Sequence, residues 1–212
     1  MKNFKKFVLI ILLLFIYISI CAFSYVNAVS SNIQDSVFRL HVIANSNKEE
    51  DQNLKYLVRD KILEYINSIS QNYNTKEDII KLANNNIEEI KKIAENVVLE
   101  NGYNYPIKVS IGNFAFPTKT YGDITFPAGF YDALKVEIGE AEGRNWWCVM
   151  FPPLCFVDVT SGVVPEDSKE TLKENLSSEE YDLISENSDN INFKFKIVEM
   201  FQTLNMKIAQ NN

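Results

Sequence analysis

The feature that most constrains this chain is an apolar run close to its N-terminus. Three lysines lie within the first six residues, and the run then extends from Phe7 to Phe23 with two hydroxyls and one thiol as its only polar groups. A positively charged start followed by such a run is typical of an export signal. The rest of the chain is therefore predicted to fold on the far side of a membrane.

The residues after this run predict how the segment is processed. Val26-Asn27-Ala28 supplies the small or modest residues that a signal peptidase reads, which predicts cleavage after Ala28. Since the run is close to the shortest length that spans a ~30 Å hydrocarbon core, an uncleaved membrane anchor is the alternative. A lipid attached to Cys21 is disfavoured, because bulky Ile20 stands where lipidation requires a small residue.

Length and charge bound what the exported part can be. Cleavage of the 212-residue chain after Ala28 leaves about 184 residues, so residues 29–212 are predicted to form a single domain with a sizeable core. The chain has a net charge of −7, and the loss of three lysines and no acid takes this to −10. Such a surface repels nucleic acid and anionic headgroups, so no nucleic-acid partner is expected, and the membrane is contacted only through the N-terminal segment.

Two stretches have the apolar spacing of amphipathic helices. The first follows Ser46, which stands three residues before Glu49 in the pattern of a capping box. The second opens with a similar pattern at Thr75 and Asp78, and its apolar stripe stops just before Gly102, a good C-terminal signal. Their apolar faces require a sheet or another helix to cover them.

Shorter stretches have the pattern of β-strands. Three of them are alternating or β-branched, and a fourth is apolar at every position, as expected of a central strand covered on both faces. These are residues 37–43, 107–111 and 134–138 and, for the fully apolar stretch, residues 146–151. Residues 114–130 mix aromatic residues with Pro and Gly, which predicts a structured loop or a broken strand pair.

The C-terminal part is more polar. Residues 160–190 are rich in Ser, Asp, Glu, Lys and Asn, which predicts an exposed, mobile excursion with a weak helix after Ser177. A short strand at residues 193–197 and a terminal helix at residues 198–208 are expected beyond it. The predicted fold class is therefore α+β, with two tandem helices packed on a mostly antiparallel sheet and a C-terminal helix.

Few residues suggest catalysis. His41 is the single histidine of the chain, and zinc sites usually take several His or Cys ligands, so neither a metal nor another cofactor is expected. A Cys/His nucleophilic pair would need Cys148 or Cys155 as a thiolate in apolar surroundings, where a thiolate is disfavoured. A secreted two-carboxylate hydrolase stays open as an alternative. Its loop acids would be Asp123, Glu140, Glu142 and Asp158.

The most unusual segment is residues 145–156, which holds both tryptophans and both cysteines that follow the signal. In an oxidising compartment Cys148 and Cys155 are predicted to form a disulfide, which would stabilise the fold by about 2–3 kcal/mol. Because adjacent strand residues point to opposite faces, either Trp146 or Trp147 should face the helices. The rings either pack in the core or form a binding platform, so an exported cell-wall or glycan-binding module is an alternative function.

Four stretches together point to a family. They are residues 38–46 (FRLHVIANS), 51–60 (DQNLKYLVRD), 126–139 (FPAGFYDALKVEIG) and 143–155 (GRNWWCVMFPPLC), and the last is long and compositionally rare. In these stretches the chain resembles the stage II sporulation protein R family of endospore-forming bacteria.

The resemblance implies a signalling protein and not an enzyme. Members of that family are made in the forespore, exported into the space between the two sporulation membranes, and activate a membrane-embedded aspartic protease of the mother cell. The protease then processes the precursor of sigma factor E. By resemblance, this chain is expected in the same intermembrane space with the same protein partner.

Polar or aromatic side chains on strands and their turns are the candidate partner contacts. They are Arg39, His41, Arg144, Asn145, Trp146 and Trp147. The alternative is that Arg39 and Asn145 only satisfy polar groups inside the domain.

Overall fold

A computed structural model describes residues 2–71, 73–155 and 164–185. The helices in this part are α1 (Lys2–Asp35), α2 (Glu49–Ser70), α3 (Lys76–Asn85), α4 (Ile87–Glu100), α5 (Glu166–Asn175) and α6 (Ser178–Ser185). The strands are β1 (Phe38–Ile43), β2 (Ile107–Phe116), β3 (Lys119–Tyr121), β4 (Ile124–Phe126), β5 (Gly129–Ile138) and β6 (Asn145–Phe151).

The main sheet has four strands in the order β2-β5-β1-β6. Strand β1 pairs in parallel with β5, and the other two pairings, β2 with β5 and β1 with β6, are antiparallel. All six residues of β1 are buried, as expected of a strand with neighbours on both edges and a layer on both faces. The structure confirms the α+β class with a mostly antiparallel sheet.

The prediction that residues 146–151 form a central strand was wrong for the described residues, where β6 lies at one edge of the sheet. The physical reason is that an apolar residue at every position reports coverage of both faces and says nothing about neighbours along the edges. Trp146 packs with the helices on one face, whereas Trp147 and Val149 pack with the layer on the other. The expected division of the two tryptophans between the faces is confirmed.

Three helices cover the first face of the sheet. The stripe of α2, including Leu54, Val58 and Ile62, packs with Ile90 of α4 over the β1 side chains that point to this face. The predicted second helix divides into α3 and α4 at Asn86, where the side-chain amide donates to the Leu82 carbonyl (2.8 Å). The break lies in the backbone of Asn86, whose φ of −112° and ψ of 15° depart from helical values, while its backbone amide still donates to the Leu82 carbonyl (3.2 Å).

The two predicted helix starts had different outcomes. Thr75 caps α3 as expected, because its Oγ1 accepts a hydrogen bond from the Asp78 amide (3.2 Å). The capping box at Ser46 was wrong: α2 begins at Glu49 with Lys48 as its N-cap, and the Ser46 hydroxyl donates to Asp51 Oδ2 instead (2.6 Å). A carboxylate one turn into the helix competes for the same hydroxyl that a capping box would use.

A second layer covers the other face of the sheet. It consists of the end of α1, the hairpin β3–β4 and helices α5 and α6, and its core includes Ile33, Phe126, Leu172 and Ile184. Within residues 114–130, β2 is longer than predicted and the hairpin then interrupts the path to β5, which is the broken strand pair that the sequence left open.

The described part of residues 160–190 differs from the exposed excursion that was expected. Helix α6 confirms the weak helix after Ser177, and α5 precedes it. Leu172, Leu176 and Ile184 are buried against the second layer, because a few well-spaced apolar residues suffice to dock short helices on an existing core. The strand and helix expected at residues 193–197 and 198–208 lie outside the described residues.

Helix α1 includes the predicted signal and continues beyond it. Its stretch Phe4–Cys21 is long and apolar enough to cross a membrane by length and composition, and none of it is buried. Both a signal peptide and an anchor have these properties. Past Ala28 the same helix enters the second layer, where Ser30 and Ile33 are buried and Asn32 donates to Glu180 Oε1 (2.7 Å).

We therefore predict that residues just after the proposed cleavage point stabilise the domain. In the chain that starts at Val29, Ile33→Ala should lower the free energy of unfolding by about 2–4 kcal/mol, because Ile33 is fully buried. Leu99→Ala, at a side chain that is 59% exposed, should change it by less than about 0.5 kcal/mol. Urea unfolding measures both. An equal loss of unfolding free energy in the Ile33→Ala and Leu99→Ala variants would show that the end of α1 does not belong to the folded domain.

Candidate functional site

The start of strand β6 brings together most of the side chains that the sequence singled out. Arg144 and Asn145 are exposed there, and Trp146 and Trp147 are half-buried on opposite faces of the sheet. Strand β6 lies at one edge of the described sheet. The exposed members of the candidate contact set are therefore neighbours at one corner of the domain.

On the helix side, Trp146 takes part in a stack of aromatic and cationic side chains. The guanidinium carbon of Arg59 lies 4.2 Å from the Trp146 ring centroid and 5.0 Å from that of Tyr56. The two rings meet edge to face, with centroids 5.5 Å apart. Cations over aromatic faces are attracted by the ring quadrupole. We call Tyr56, Arg59, Arg144 and Trp146 the arginine–tryptophan edge.

Lys55 fixes this edge from beneath. Its buried ammonium donates to Gln52 Oε1 (2.7 Å) and to the Arg144 carbonyl (3.0 Å), which ties helix α2 to the turn before β6. Burial, together with the nearby Arg144 and Arg59 guanidinium groups, lowers the pKa of Lys55 to about 8. Arg59 forms a salt bridge with Asp60, with 2.6 Å between Nη2 and Oδ1.

On the other face, His41 fixes Asn145 and Trp147. Its Nε2 lies 2.7 Å from Asn145 Oδ1, which accepts the hydrogen bond when Nε2 carries the proton. The imidazole stacks on the Trp147 ring with centroids 3.7 Å apart and an interplanar angle of 19°. Burial lowers the pKa of His41 to about 4 against the opposing effect of the Asn145 hydrogen bond. His41 is therefore neutral near neutral pH.

Arg39 lies deeper in the same layer and is fully buried. Its guanidinium carbon lies 4.2 Å from the Phe116 ring centroid and 4.5 Å from that of Tyr131. Its Nη2 donates to the Tyr121 hydroxyl (2.9 Å), which in turn donates to the Trp147 carbonyl (3.0 Å). Arg39 forms no salt bridge with any described residue, so aromatic faces and one hydroxyl supply its surroundings.

A polar cluster joins the loop after β1 to the loop before β6. Asn45 Nδ2 donates to Asp51 Oδ2 (2.9 Å), and Asn45 Oδ1 accepts from the Glu140 amide (3.0 Å). Burial opposes ionisation of Asp51, yet hydrogen bonds from Ser46 and Asn45 hold its pKa below the ordinary value. Gly139 has a φ of 61°, and a Cβ there would collide with Asn45 Oδ1.

The predicted disulfide between Cys148 and Cys155 is present, with Cα atoms 5.0 Å apart. Cys148 is buried on the helix-facing side of β6. The bond closes a loop of residues 148–155, which contains the chain reversal at Pro152 and directly follows the two tryptophans in the sequence. It therefore restrains the end of β6 opposite to the arginine–tryptophan edge.

The structure separates the predicted contact residues into two groups. Arg144, Asn145, Trp146 and Trp147 lie together at the corner, whereas Arg39 is fully buried and His41 is 7% exposed. Arg39 and His41 thus have almost no surface to offer a partner here, and their observed contacts are internal. The contacts of Arg39 are internal, and its Nε and Nη1 have no hydrogen-bond partner among the described residues, whereas Asn145 contacts His41 and is also exposed.

Sequence reasoning missed Lys55, Tyr56 and Arg59. The signal that could have found them is the i, i+4 spacing of Lys55 and Arg59 with an aromatic residue between them, inside one of the four stretches that carry the family resemblance. The apolar stripe of α2 predicts a helix but does not indicate which strand its polar face contacts. That strand, β6, lies more than 80 residues further along the chain.

Of the loop acids, Asp123 is paired with Lys169 (2.6 Å between Nζ and Oδ2) and accepts from the Val164 amide, whereas Glu140 and Glu142 lie in the turn between β5 and β6. Asp158 lies outside the described residues. No group of three or more His, Cys, Asp or Glu side chains that could hold a metal ion is found in the part of the chain that the structure describes.

The fold and this corner define an α+β domain that follows an apolar helix of membrane-crossing length. Comparison with known proteins identifies the family. The model of the family "Stage II sporulation protein R" matches residues 34–161, which include every strand described above, and the chain belongs to this family.

A curated relative agrees with this assignment. The stage II sporulation protein R of Bacillus subtilis (strain 168) is 38% identical over 143 residues, which are 66% of this chain and 64% of the relative. The chain thus spans 64% of the length of the curated relative that it matches. No solved structure matches the chain significantly.

Two predictions follow from these contacts, and the first concerns Gly139. Both Gly139→Ala and Gly102→Ala place a Cβ at positive φ (61° and 83°), at a cost of about 1–2 kcal/mol each. Only at Gly139 would the Cβ displace Asn45 and weaken its bonds to Asp51 and Glu140, so this variant should lose roughly 1–2 kcal/mol more. Urea unfolding of the matched pair measures the difference, and equal losses would contradict the role of Asn45.

The second prediction is a pH dependence that His41 causes. Because its pKa is about 4 in the folded protein and 6.5 ordinarily, the unfolded chain takes up a proton at higher pH. The part of the unfolding free energy that depends on His41 should therefore be greatest above pH 6.5. It should fall by about 3 kcal/mol in all as the pH is lowered towards 4.

Carboxylates titrate in the same range, so the test compares the protein with a His41→Phe variant. Phenylalanine keeps an aromatic ring on Trp147 but cannot take up a proton. The difference in unfolding free energy between the two proteins should change between pH 7 and pH 4. A difference that is constant with pH would refute the assignment.

Proposed function

We propose that this chain is an exported intercompartmental signalling protein of sporulation. In this proposal it activates a membrane-embedded aspartic protease, and the activated protease processes the precursor of sigma factor E. The observation that carries the proposal is family membership over residues 34–161, which cover the whole described sheet and the corner formed by β6 and α2. The chain acts as a ligand in this scheme and performs no chemistry itself.

The location proposed for this role is the space between the forespore and mother-cell membranes. The apolar part of α1 supports export, and the residues that follow Ala28 pack into the domain, so the domain would keep its second layer after cleavage there. Residues 29–212 would then act as a single exported domain. Activation requires that the domain bind the active state of the protease more tightly than the inactive state.

The contact surface in this proposal is the exposed corner at the start of β6. Arg144 and Asn145 are exposed there, and Trp146 and Trp147 border them. His41 and Arg39 would act indirectly, through the positions of Asn145 and Trp147 that they fix. Residues that are held in place lose little freedom on binding, which favours affinity.

The cell-wall or glycan-binding module is less well supported by the geometry. A sugar ring stacks on an open aromatic face, but Arg59 lies over the Trp146 ring and Tyr56 meets that ring edge to face. His41 stacks on Trp147, and Phe116 lies tilted against the same ring with centroids 4.6 Å apart. Both tryptophans are half-buried by such contacts and offer a sugar less open face than a stacking platform does.

The test of the proposal is complementation. In a sporulating strain that lacks this gene, cleavage of the sigma factor E precursor should be lost, and the gene expressed only in the forespore should restore it. Immunoblotting of the precursor provides the measurement. Normal cleavage in the deletion strain, or failure of the forespore-expressed gene to restore it while the exported protein binds purified cell wall, would overturn the proposal in favour of the wall-binding alternative.

A further inference from the structure

We propose that the arginine–tryptophan edge binds an acidic segment of a partner protein, in which carboxylates flank an apolar side chain. This inference rests on the proposed function, since it assumes that the chain acts by touching another protein. It goes further by assigning the surface, by adding α2 residues to it and by naming the chemistry of the segment that fits.

The local charge of the edge is positive. Arg144 has an exposed side chain that forms no ion pair with any described residue, and Arg59 has the single carboxylate of Asp60 beside it. Lys55 is buried beneath them and is held by an amide oxygen and a carbonyl. The edge thus carries two guanidinium groups and one paired acid, on a chain whose net charge is −7. Carboxylates are the groups that guanidinium forks bind best.

The edge also exposes aromatic area. Outside α1, five large apolar side chains are exposed in the described residues, and one of them is Tyr56, a member of this edge. Trp, Tyr and Arg are the residue types that most often dominate binding energy at protein interfaces. Trp146, Tyr56 and Arg59 already hold one another in place, so little side-chain freedom remains to be lost.

The charge of the whole chain favours an acidic protein segment over a polyanionic surface as the ligand of the edge. The whole chain carries a net charge of −7, which repels an extended anionic membrane or a nucleic acid. A short segment with two or three carboxylates interacts mainly with charges within about 8–10 Å, so it would be governed by the local positive edge. The observations therefore favour a protein segment.

The experiment uses the full chain with charge-reversed variants. Arg59→Glu combined with Arg144→Glu reverses the edge, and Arg144→Glu alone changes an exposed residue whose side chain makes no described hydrogen bond or ion pair. The matched control is Lys81→Glu combined with Lys92→Glu, at side chains that are 75% and 70% exposed on α3 and α4. Urea unfolding first establishes that each variant is folded.

The direct readout is binding of a labelled peptide that contains three glutamates around one leucine, compared with the same peptide carrying lysines in their place. The acidic peptide should bind the unaltered chain and bind the double edge variant at least about tenfold more weakly, with the Lys81/Lys92 control unchanged. Arg59→Lys with Arg144→Lys should keep part of the binding. Equal binding of the acidic and the lysine peptide to the unaltered chain would overturn the inference. Equal binding of the acidic peptide to the Arg59→Glu/Arg144→Glu variant and to the Lys81→Glu/Lys92→Glu control would also overturn it.

A second arm uses vesicles of phosphatidylglycerol. Tighter binding of the chain to these vesicles than to the acidic peptide, abolished by the edge variants, would assign the edge to a membrane and overturn the inference for a protein segment.

The cellular readout separates this inference from the proposed function. In the deletion strain, the unaltered gene should restore cleavage of the sigma factor E precursor, and the edge variants should restore about a tenth of it or less. If the unaltered gene does not restore cleavage, the proposed function fails, and the peptide result stands alone. If the unaltered gene and the edge variants restore it equally, the function holds and the edge is not the contact.

Discussion

Strand β1 is buried along its whole length, and the arrangement of the rest of the domain depends on this burial. A strand with β5 on one edge, β6 on the other and no exposed face requires two complete layers around it. Helices α2–α4 supply the first layer. The second is assembled from distant pieces, since Ile33 precedes β1, the hairpin lies in the middle of the chain and α5–α6 follow the sheet.

The same burial places two polar side chains inside the second layer. Arg39 and His41 alternate with Phe38, Leu40 and Val42, so the pleat directs them away from the helices. Removing a guanidinium from water costs several kcal/mol unless other groups compensate. Aromatic faces at 4.2 and 4.5 Å and the Tyr121 hydroxyl offset part of this cost for Arg39, whose Nε and Nη1 have no hydrogen-bond partner among the described residues. Asn145 pairs with Nε2 of His41, whose Nδ1 likewise has no partner in the described part of the chain.

The local features of the fold were the ones that the sequence could predict. The Thr75 cap, the disulfide and the opposite directions of Trp146 and Trp147 depend on residues close together in the chain, and all three are present. The position of β6 at an edge of the described sheet and the parallel pairing of β1 with β5 depend on which strands meet, and periodicity within one strand carries no such information.

The residues of the candidate site also divide into those that the sequence could predict and those that it could not. The corner residues of β6 could be singled out because their composition is rare, but the α2 side chains that complete the edge could not, because they look like an ordinary polar helix face. The failed capping box at Ser46 has a local origin, because its hydroxyl is committed to Asp51, five residues further along the chain. Only the remainder of that cluster, the bond from the Glu140 amide to Asn45, joins distant segments.

The corner at the start of β6 is positioned from both layers at once. Lys55 holds the Arg144 carbonyl from the helix layer, and His41 holds the Asn145 side chain from the second layer. Arg144, the residue before β6, and Asn145, its first residue, are thus fixed by groups that belong to different layers, while the disulfide joins Cys148 in the middle of the strand to Cys155. A surface held in this way has little conformational freedom left to lose on binding. Both side chains at this corner are exposed, so the order imposed by the two layers extends to the surface.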